Sequence, residues 1–272
     1  MERIRDGLAA IVERSQPATV RQVFYQAVST GLVNKTEAEY NGTVVRLLTE
    51  LRRENVIPYG WIADNTRWMR KPRTWSSLDE ALMTTARTYR RALWQSQPDY
   101  VEVWLEKDAL AGVIVDETAE YDAPLMVTRG YPSINFLYEA IAAVESVDKP
   151  TFIYYLGDHD PSGVDIPRVI ERTFRERAPY IGLTFEFLAV TEEQIAQWSL
   201  PTRPTKQTDT RARNFTGESV EVDAIPPDEL RALVREAITS HVDYDQLARL
   251  GAIEAEERET LTRFATRMRR QR

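Results

Sequence analysis

The stretch TFIYYLGDHDPSG, residues 151–163, decides the fold that the sequence predicts. Its first six residues are β-branched, aromatic or apolar and predict a strand, which ends directly before two closely spaced aspartates. Gly157 and Gly163 flank these aspartates, Asp158 and Asp160, and indicate a tight acidic turn.

The same rhythm of strand and helix continues on both sides of this stretch. YVEVWL (100–105), PLMVT (124–128) and LTFEFLA (183–189) predict three more strands. Helical patterns lie between the strands, at about 108–119, 133–144 and 164–177. Strands that alternate with helices are typical of a parallel sheet with helices on both faces. We therefore expect an α/β domain with a four-stranded parallel sheet over residues 100–200.

Acidic residues follow two of these predicted strands. Glu106 ends the first in WLEKDAL, and Asp158 and Asp160 follow the third. Ligands of parallel α/β sheets bind outside the carboxyl ends of the strands, and three carboxylates that converge there repel one another unless a cation lies between them. The chain has no Cys and only two His, so carboxylate oxygens are the available ligands, which favours Mg²⁺ or Mn²⁺ over Zn²⁺.

A family resemblance rests on three motifs: EKDAL (106–110), TRGYPS (128–133) and LGDHDPSG (156–163). Together they resemble the TOPRIM domain of topoisomerases, primases and related nucleases, in the form found in the topoisomerase VI A subunit and its meiotic double-strand-break relative. The resemblance covers roughly residues 100–190 and implies a Rossmann-like TOPRIM fold in which Glu106, Asp158 and Asp160 ligate Mg²⁺. Lys107 matches the same motif, and we expect it to contact DNA.

The N-terminal region, residues 1–75, predicts three helices, the second of them capped by Thr19, followed by short strands and a turn in VIPYGWIADNTRW (56–68). That order is the layout of a winged helix, in which the third helix would contact DNA. Arg46, Arg52 and Arg53 lie on or beside its polar side and are the expected DNA-binding residues. The alternative is a small helical subdomain with an ordinary solvated face.

A second motif, TVRQVFYQ (19–26), lies on the second of these helices. Arg21 and Tyr25 are four residues apart and share one helix face, where a guanidinium favours the phenolate form of a tyrosine. A phenolate can attack phosphorus and form a phosphotyrosyl bond. The motif resembles the catalytic motif of the winged-helix domain in the same A-subunit family, which implies that Tyr25, Arg21 and Glu106 are catalytic. The alternative is that Tyr25 and its neighbour Phe24 are core aromatic residues.

Charge is unevenly distributed along the chain, whose net charge is −7. Residues 1–75 hold 12 basic and 8 acidic residues, residues 76–200 hold 10 and 21, and residues 201–272 hold 13 of each. A basic N-terminal region beside an acidic middle fits a DNA-binding part next to a metal centre. Chance variation of surface charge is the alternative.

Three further regions complete the expected organisation. RWMRKPRTWSS (67–77) has four basic residues, two Trp and no acid, so Trp68 or Trp75 could stack on a base; a linker with packed Trp residues is the alternative. Residues 76–99 predict a connecting helix that Ser77 caps and that runs to about Trp94. Residues 201–272 predict a long loop and a helical C-terminal extension, with helices at about 228–240 and 253–270. In EVDAIPP (221–227), Glu221 and Asp223 are expected on an exposed strand that enters a turn, with a peripheral metal or DNA-positioning role as the alternative.

The motifs together predict Mg²⁺-dependent strand cleavage of double-stranded DNA by tyrosine transesterification. The resemblance implies a homodimer, because the tyrosine of one protomer meets the metal of the other, and it makes a separate ATPase a candidate partner. The alternatives are a hydrolytic TOPRIM endonuclease, like the nuclease subunit of the Wadjet plasmid-defence system, and a non-catalytic DNA-binding protein. No apolar stretch is long enough for a membrane span and no signal peptide is apparent, so we expect a cytoplasmic protein.

Overall fold

A parallel β-sheet forms the centre of the protein. The computed structural model describes residues 1–63, 72–204, 215 and 217–270. The strands are β1 (Tyr100–Leu105), β2 (Leu125–Val127), β3 (Thr151–Leu156) and β4 (Leu183–Ala189). They pair in the order β2-β1-β3-β4, and every pairing is parallel. The expected four-stranded parallel sheet is therefore confirmed.

Helices precede, separate and follow the strands. The described α-helices are α1 (Glu2–Ser15), α2 (Val20–Ser29), α3 (Glu37–Glu39), α4 (Arg46–Arg53), α5 (Leu78–Thr88), α6 (Asp108–Glu120), α7 (Ile134–Val147), α8 (Pro161–Arg177), α9 (Glu192–Gln197), α10 (Pro227–Thr239) and α11 (Tyr244–Arg270). None of the described helices is both long enough and apolar enough to cross a membrane.

Both faces of the sheet are covered, because successive side chains of a strand point to opposite sides. On one face, Trp104 of β1 packs edge-on against Phe136 of α7 and Phe174 of α8. On the other face, Phe152 of β3 lies against His241, which follows α10, with 4.0 Å between ring centroids. The expected arrangement of helices on both faces is confirmed.

The N-terminal region contains the three expected helices, but the short strands expected after them are wrong where this stretch is described. Thr19 caps α2 as predicted, and a π-helical segment, Tyr40–Val45, joins α3 to α4 into one continuous helix. Tyr59–Trp61 form a 3₁₀ turn, and Ile62 forms only an isolated bridge, to Ala18, so residues 56–63 contain a turn but no strand. Pro58 lacks the N–H that a β-ladder needs. Residues 64–68, the rest of the predicted stretch of strands and turn, lie outside the described residues.

Two helix boundaries differ from the prediction. The connecting helix α5 was expected to reach about Trp94 but ends at Thr88, where Tyr89 adopts an extended backbone conformation and its hydroxyl donates to Glu257. The last helix was expected from about residue 253 but begins at Tyr244. Asp243 Oδ1 accepts the N–H groups of the first turn there and so provides the cap.

The N-terminal helices and the sheet share one hydrophobic core. A continuous cluster of buried side chains extends from Leu8 of α1 through Trp104 of β1 to Ile238 of α10. The predicted regions 1–75 and 100–200 therefore pack directly against each other. This packing places α2 beside the carboxyl ends of the strands.

Candidate metal and phosphate site

The acidic turn lies where the strand order of the sheet changes direction. From β1 the chain passes to β2 on one side and then to β3 on the other, so the carboxyl ends of β1 and β3 flank a crevice. Glu106 follows β1, and its N–H donates to Leu156 O at the end of β3 over 2.9 Å. The Asp158 N–H donates to Glu106 Oε2 over 3.2 Å. The structure thus brings together the two predicted residues Glu106 and Asp158.

Two glycines allow this close approach. A Cβ atom on Gly163 would lie 1.9 Å from the Asp158 carbonyl oxygen, so no side chain fits there. A Cβ atom on Gly157 would lie 2.7 Å from Glu106 Oε2 and 2.6 Å from the Tyr155 ring. Both glycines that the sequence placed around the turn are therefore required by packing, and they keep the backbone of the turn against Glu106.

Burial and nearby charges alter the acidity of the two carboxylates. Burial and the nearby charge of Asp158 raise the pKa of Glu106 to about 7. Burial also raises the pKa of Asp158, although Lys107 acts in the opposite direction. The site therefore holds a carboxyl group that titrates near neutral pH.

Asp160, the third predicted metal ligand, is the cap of α8 in this structure. Its Oδ1 accepts the N–H groups of Ser162 and Gly163 over 3.0 and 2.8 Å. Its Oδ2 lies 3.7 Å from the Arg203 guanidinium. Within the described ranges, no three acidic or histidine side chains form a group that could hold a metal ion. The metal-binding role of Asp160 stays a prediction.

Lys107 lies among three carboxylates. Its Nζ is 2.9 Å from Asp158 Oδ1, 3.2 Å from Glu221 Oε2 and 2.8 Å from Asp223 Oδ2. Burial opposes its charge, but the three acids outweigh burial and raise the pKa of Lys107 above its ordinary value. The lysine that was expected to contact DNA is thus held as a cation by the acidic residues around it.

Glu221 and Asp223 belong to the site, and their expected place on an exposed strand is wrong. They lie at a 3₁₀ turn, Val222–Ala224, and only 8% and 2% of their surfaces are exposed. Backbone bonds between Val220 and His159, and from the Val222 N–H to Asp158 Oδ1, hold the turn against the acidic loop. The apolar residues Val220, Val222 and Ile225 between and beside the two acids were the one local signal of burial.

Glu221 is also the point where cations from distant parts of the chain converge. Arg21 Nη1 lies 2.8 Å from Glu221 Oε2, and Arg203 Nη1 lies 3.1 Å from Glu221 Oε1. Although burial opposes ionisation, Lys107 and Arg21 lower the pKa of Glu221 to about 2. Glu221 is therefore a permanent anion that neutralises basic groups of the site.

Tyr25 lies beside this cluster, but Arg21 does not activate it here. Only 4% of the Tyr25 surface is exposed. Burial and the charge of Glu221 raise its pKa to about 12, and the opposing charges of Arg21 and Lys107 do not compensate. Arg21 and Tyr25 share one face of α2 as expected, yet the Arg21 guanidinium donates to Glu221 rather than to the phenol.

A cleft of about 810 Å³ opens between α2, the π-helical segment and the carboxyl edge of the sheet. Its charged lining residues are Arg21, Arg52, Glu106, Lys107, Asp108, Arg129, Glu221 and Asp223. Of the three arginines expected to bind DNA, Arg52 lines the cleft. Arg46 does not line it and pairs with Glu50 over 2.8 Å, while Arg53 is exposed elsewhere on the same helix.

In comparisons with known proteins, neither a protein-family model nor a curated protein matches the sequence.

Proposed function

We propose that this protein cleaves the phosphodiester backbone of double-stranded DNA in a reaction that requires Mg²⁺ or Mn²⁺. The contact between Glu106 and Asp158 at the switch in strand order is the observation that supports the proposal most directly. This contact is a hydrogen bond from the Asp158 backbone N–H to the Glu106 carboxylate, and it brings the two acidic residues close together. Burial and repulsion by the charge of Asp158 raise the pKa of Glu106 to about 7. A divalent cation would remove the repulsion.

The donor atoms in this part of the site fit a hard cation. Glu106 and Asp158 would hold the metal together with Asp160, and carboxylate oxygens are the ligands that Mg²⁺ and Mn²⁺ prefer. When bound, the metal would supply Lewis-acid polarisation of the phosphoryl group.

The basic residues among the charged groups that line the cleft support a phosphate-bearing substrate. They are Arg21 of α2, Arg52 of α4, Lys107 after β1 and Arg129 after β2, and they line one cavity together with four acidic residues. Arginine forms forked hydrogen bonds that match phosphate oxygens, and such contacts position a DNA backbone without reading its sequence. We infer that the scissile phosphate lies in this cleft, between the basic residues and the acidic turn.

The nucleophile separates two forms of the proposal. Tyrosine transesterification remains the form that the sequence resemblance implies. In this form we also propose a homodimer and a separate ATPase as a candidate partner. Hydrolysis is favoured by a specific observation, since Tyr25 is buried, its pKa is raised to about 12, and Arg21 is bound to Glu221. In this conformation water is the better nucleophile. Tyr25 would need Arg21 to leave Glu221 before it could act.

Incubation with supercoiled plasmid DNA tests the proposal. We expect nicked or linear product with Mg²⁺ or Mn²⁺, none with a chelator, and none from Asp158→Asn. The control is Asp116→Asn, which makes the same chemical change at an exposed position of α6. DNA binding without cleavage by the wild type in either metal would contradict the proposal and indicate the non-catalytic alternative.

A further inference from the structure

A second part of the molecule, away from the cleft, has the character of a nucleic-acid surface. Helices α5 and α11 form a pair whose buried contact lies outside the main core, because Ala86 and Ala265 are 4% and 1% exposed but do not belong to the continuous cluster. Two hydrogen bonds fix the end of α5 to the middle of α11. Tyr89 Oη donates to Glu257 over 2.8 Å, and Arg258 Nε donates to Tyr89 O over 2.7 Å.

The two helices run antiparallel. Tyr89, directly after α5, lies at Glu257 and Arg258 in the middle of α11. The first part of α11 packs against the main core through Leu247 and Leu250, so α5 covers the second part, where Ala265 is buried. Eleven helical residues span about 16 Å, so Leu78 at the start of α5 lies level with Met268, near the end of α11. We call this end of the helix pair, formed by residues 73–78 and 263–269, the arm tip.

The arm tip is basic and aromatic. The sequence after Glu259 contains five arginines and no acidic residue. Arg263, Arg267 and Arg269 are all exposed. Arg263 is 4.0 Å from Glu259, and neither Arg267 nor Arg269 forms an ion pair among the described residues.

The other helix contributes to the same end of the pair. Arg73 is exposed, and Trp75 is 44% exposed, so the alternative of a packed-down tryptophan is wrong for this residue. Trp68, the other tryptophan of that basic stretch, lies outside the described residues. Phe264 on α11 is 53% exposed. Antiparallel pairing thus brings Arg73 and Trp75 to the end of the helix pair that carries Arg267 and Arg269, almost two hundred residues later in the sequence.

We propose that the arm tip is a second DNA-binding surface, which contacts backbone phosphates through Arg263, Arg267 and Arg269. This inference rests on the proposed function for its ligand, DNA, but it does not depend on cleavage. None of these arginines lines the cleft. The chain as a whole carries a net charge of −7, so attraction to a polyanion must come from local groups of cations such as this one, in which Arg267 and Arg269 form no ion pair among the described residues. Exposed aromatic rings beside arginines add a stacking surface for bases.

Salt-dependent binding of the full-length chain to a short DNA duplex, with a chelator present, tests this inference. Each phosphate contact contributes about 0.9 to the slope of log affinity against log salt, so Arg263, Arg267 and Arg269 changed together to Ala should reduce the slope by up to about 2.7. Affinity at low salt should fall at least tenfold. The matched control changes Arg168, Arg172 and Arg175 of α8 to Ala, because these exposed arginines each lie beside an acid of their own helix.

Each outcome decides the proposal. A reduced slope in the arm variant with a near wild-type slope in the control supports it. An unchanged slope in the arm variant, or an equal loss in both variants, overturns it while leaving DNA cleavage at the cleft intact. Binding of the wild type to vesicles of anionic lipid but not to DNA also overturns it. A clear loss in the arm variant without any plasmid cleavage by the wild type supports the arm tip and contradicts the proposed function alone.

Discussion

Arg21 Nη1 of α2 lies 2.8 Å from Glu221 Oε2, across two hundred residues of sequence. This ion pair joins the helix that carries Tyr25 to the turn that covers the acidic loop. It also determines the electrostatics of the site, because the carboxylate that holds Arg21 also holds Lys107 and Arg203. The charge available to a bound phosphate therefore depends on Glu221.

Glu221→Gln keeps the side-chain shape and removes the charge that three cations share. These pairs are only partly buried, so we expect a loss of about 1–2 kcal/mol in the free energy of unfolding at neutral pH, measured by urea denaturation. The folded pKa is lowered to about 2 from an ordinary 4.5, so the stabilisation is present above that ordinary value and is lost as the pH falls toward 2. The variant and the wild type should therefore converge in acid.

The control for this prediction is Glu218→Gln, a neighbouring exposed position in the same segment. It should change stability by no more than about 0.5 kcal/mol. Equal effects of the two substitutions would mean that the shared carboxylate has no special role.

Glu106→Gln should alter the pH dependence of stability in the opposite direction. The folded pKa of Glu106 is raised to about 7 from 4.5, so its favourable contribution is full below 4.5 and is lost as the pH rises through 7. Because part of the group contacts solvent, we expect the variant to gain only about 1–2 kcal/mol relative to the wild type between acidic and mildly alkaline pH. Urea unfolding in a chelating buffer measures this. A constant difference across the pH range would show that Glu106 is not perturbed.

Asp158→Asn combined with Asp160→Asn should abolish Mg²⁺ and Mn²⁺ binding in calorimetric titrations. The substitutions remove the two negative charges that we expect to hold the ion with Glu106. Asp116→Asn with Glu120→Gln, on the exposed side of α6, is the matched control and should bind as the wild type does. Undiminished heat of binding in the Asp158/Asp160 variant would remove the metal assignment.

Tyr25→Phe distinguishes hydrolysis from transesterification. The substitution removes one hydroxyl and keeps the packing of a residue that is 4% exposed, so the fold should be retained. If water is the nucleophile, as the raised pKa of Tyr25 favours, the variant still cuts and the products enter a denaturing gel without protease treatment. DNA ends that need protease to enter the gel, together with loss of cleavage in the variant, would establish the tyrosine instead.

Gly163→Ala should destabilise the protein and disrupt the acidic turn. The added Cβ atom would lie 1.9 Å from the Asp158 carbonyl oxygen, and relief requires a backbone shift that costs about 3 kcal/mol or more. Gly251→Ala is the control, since this helical position of α11 has no neighbouring atom within 4 Å of the added carbon. There alanine should stabilise the helix by up to about 1 kcal/mol, measured by thermal unfolding. Equal effects at both positions would contradict the close packing of the turn.

Prediction from sequence succeeded where the determinants are local. Thr19, Ser77 and Ser133 cap the helices that they were expected to cap or begin, because a cap requires only a side-chain oxygen near the next backbone N–H groups. The predicted helix boundaries were wrong at the end of α5 and at the start of α11. At Thr88 the helix ends beside Glu257, and the start of α11 at Tyr244 was obscured by Gly251, which the helix tolerates in its interior.

The sequence by itself determined the four strands, the helices between them and the position of Glu106, Asp158 and Asp160 directly after strands, because periodicity, caps and glycines act over a few residues. Only the tertiary structure decided the order β2-β1-β3-β4, the contact of Glu106 with Asp158, and the addition of Glu221 and Asp223 to the site. It also decided that Arg21 binds Glu221 rather than Tyr25. These contacts join residues between about fifty and two hundred positions apart, and the shared hydrophobic core, rather than any local pattern, brings them together.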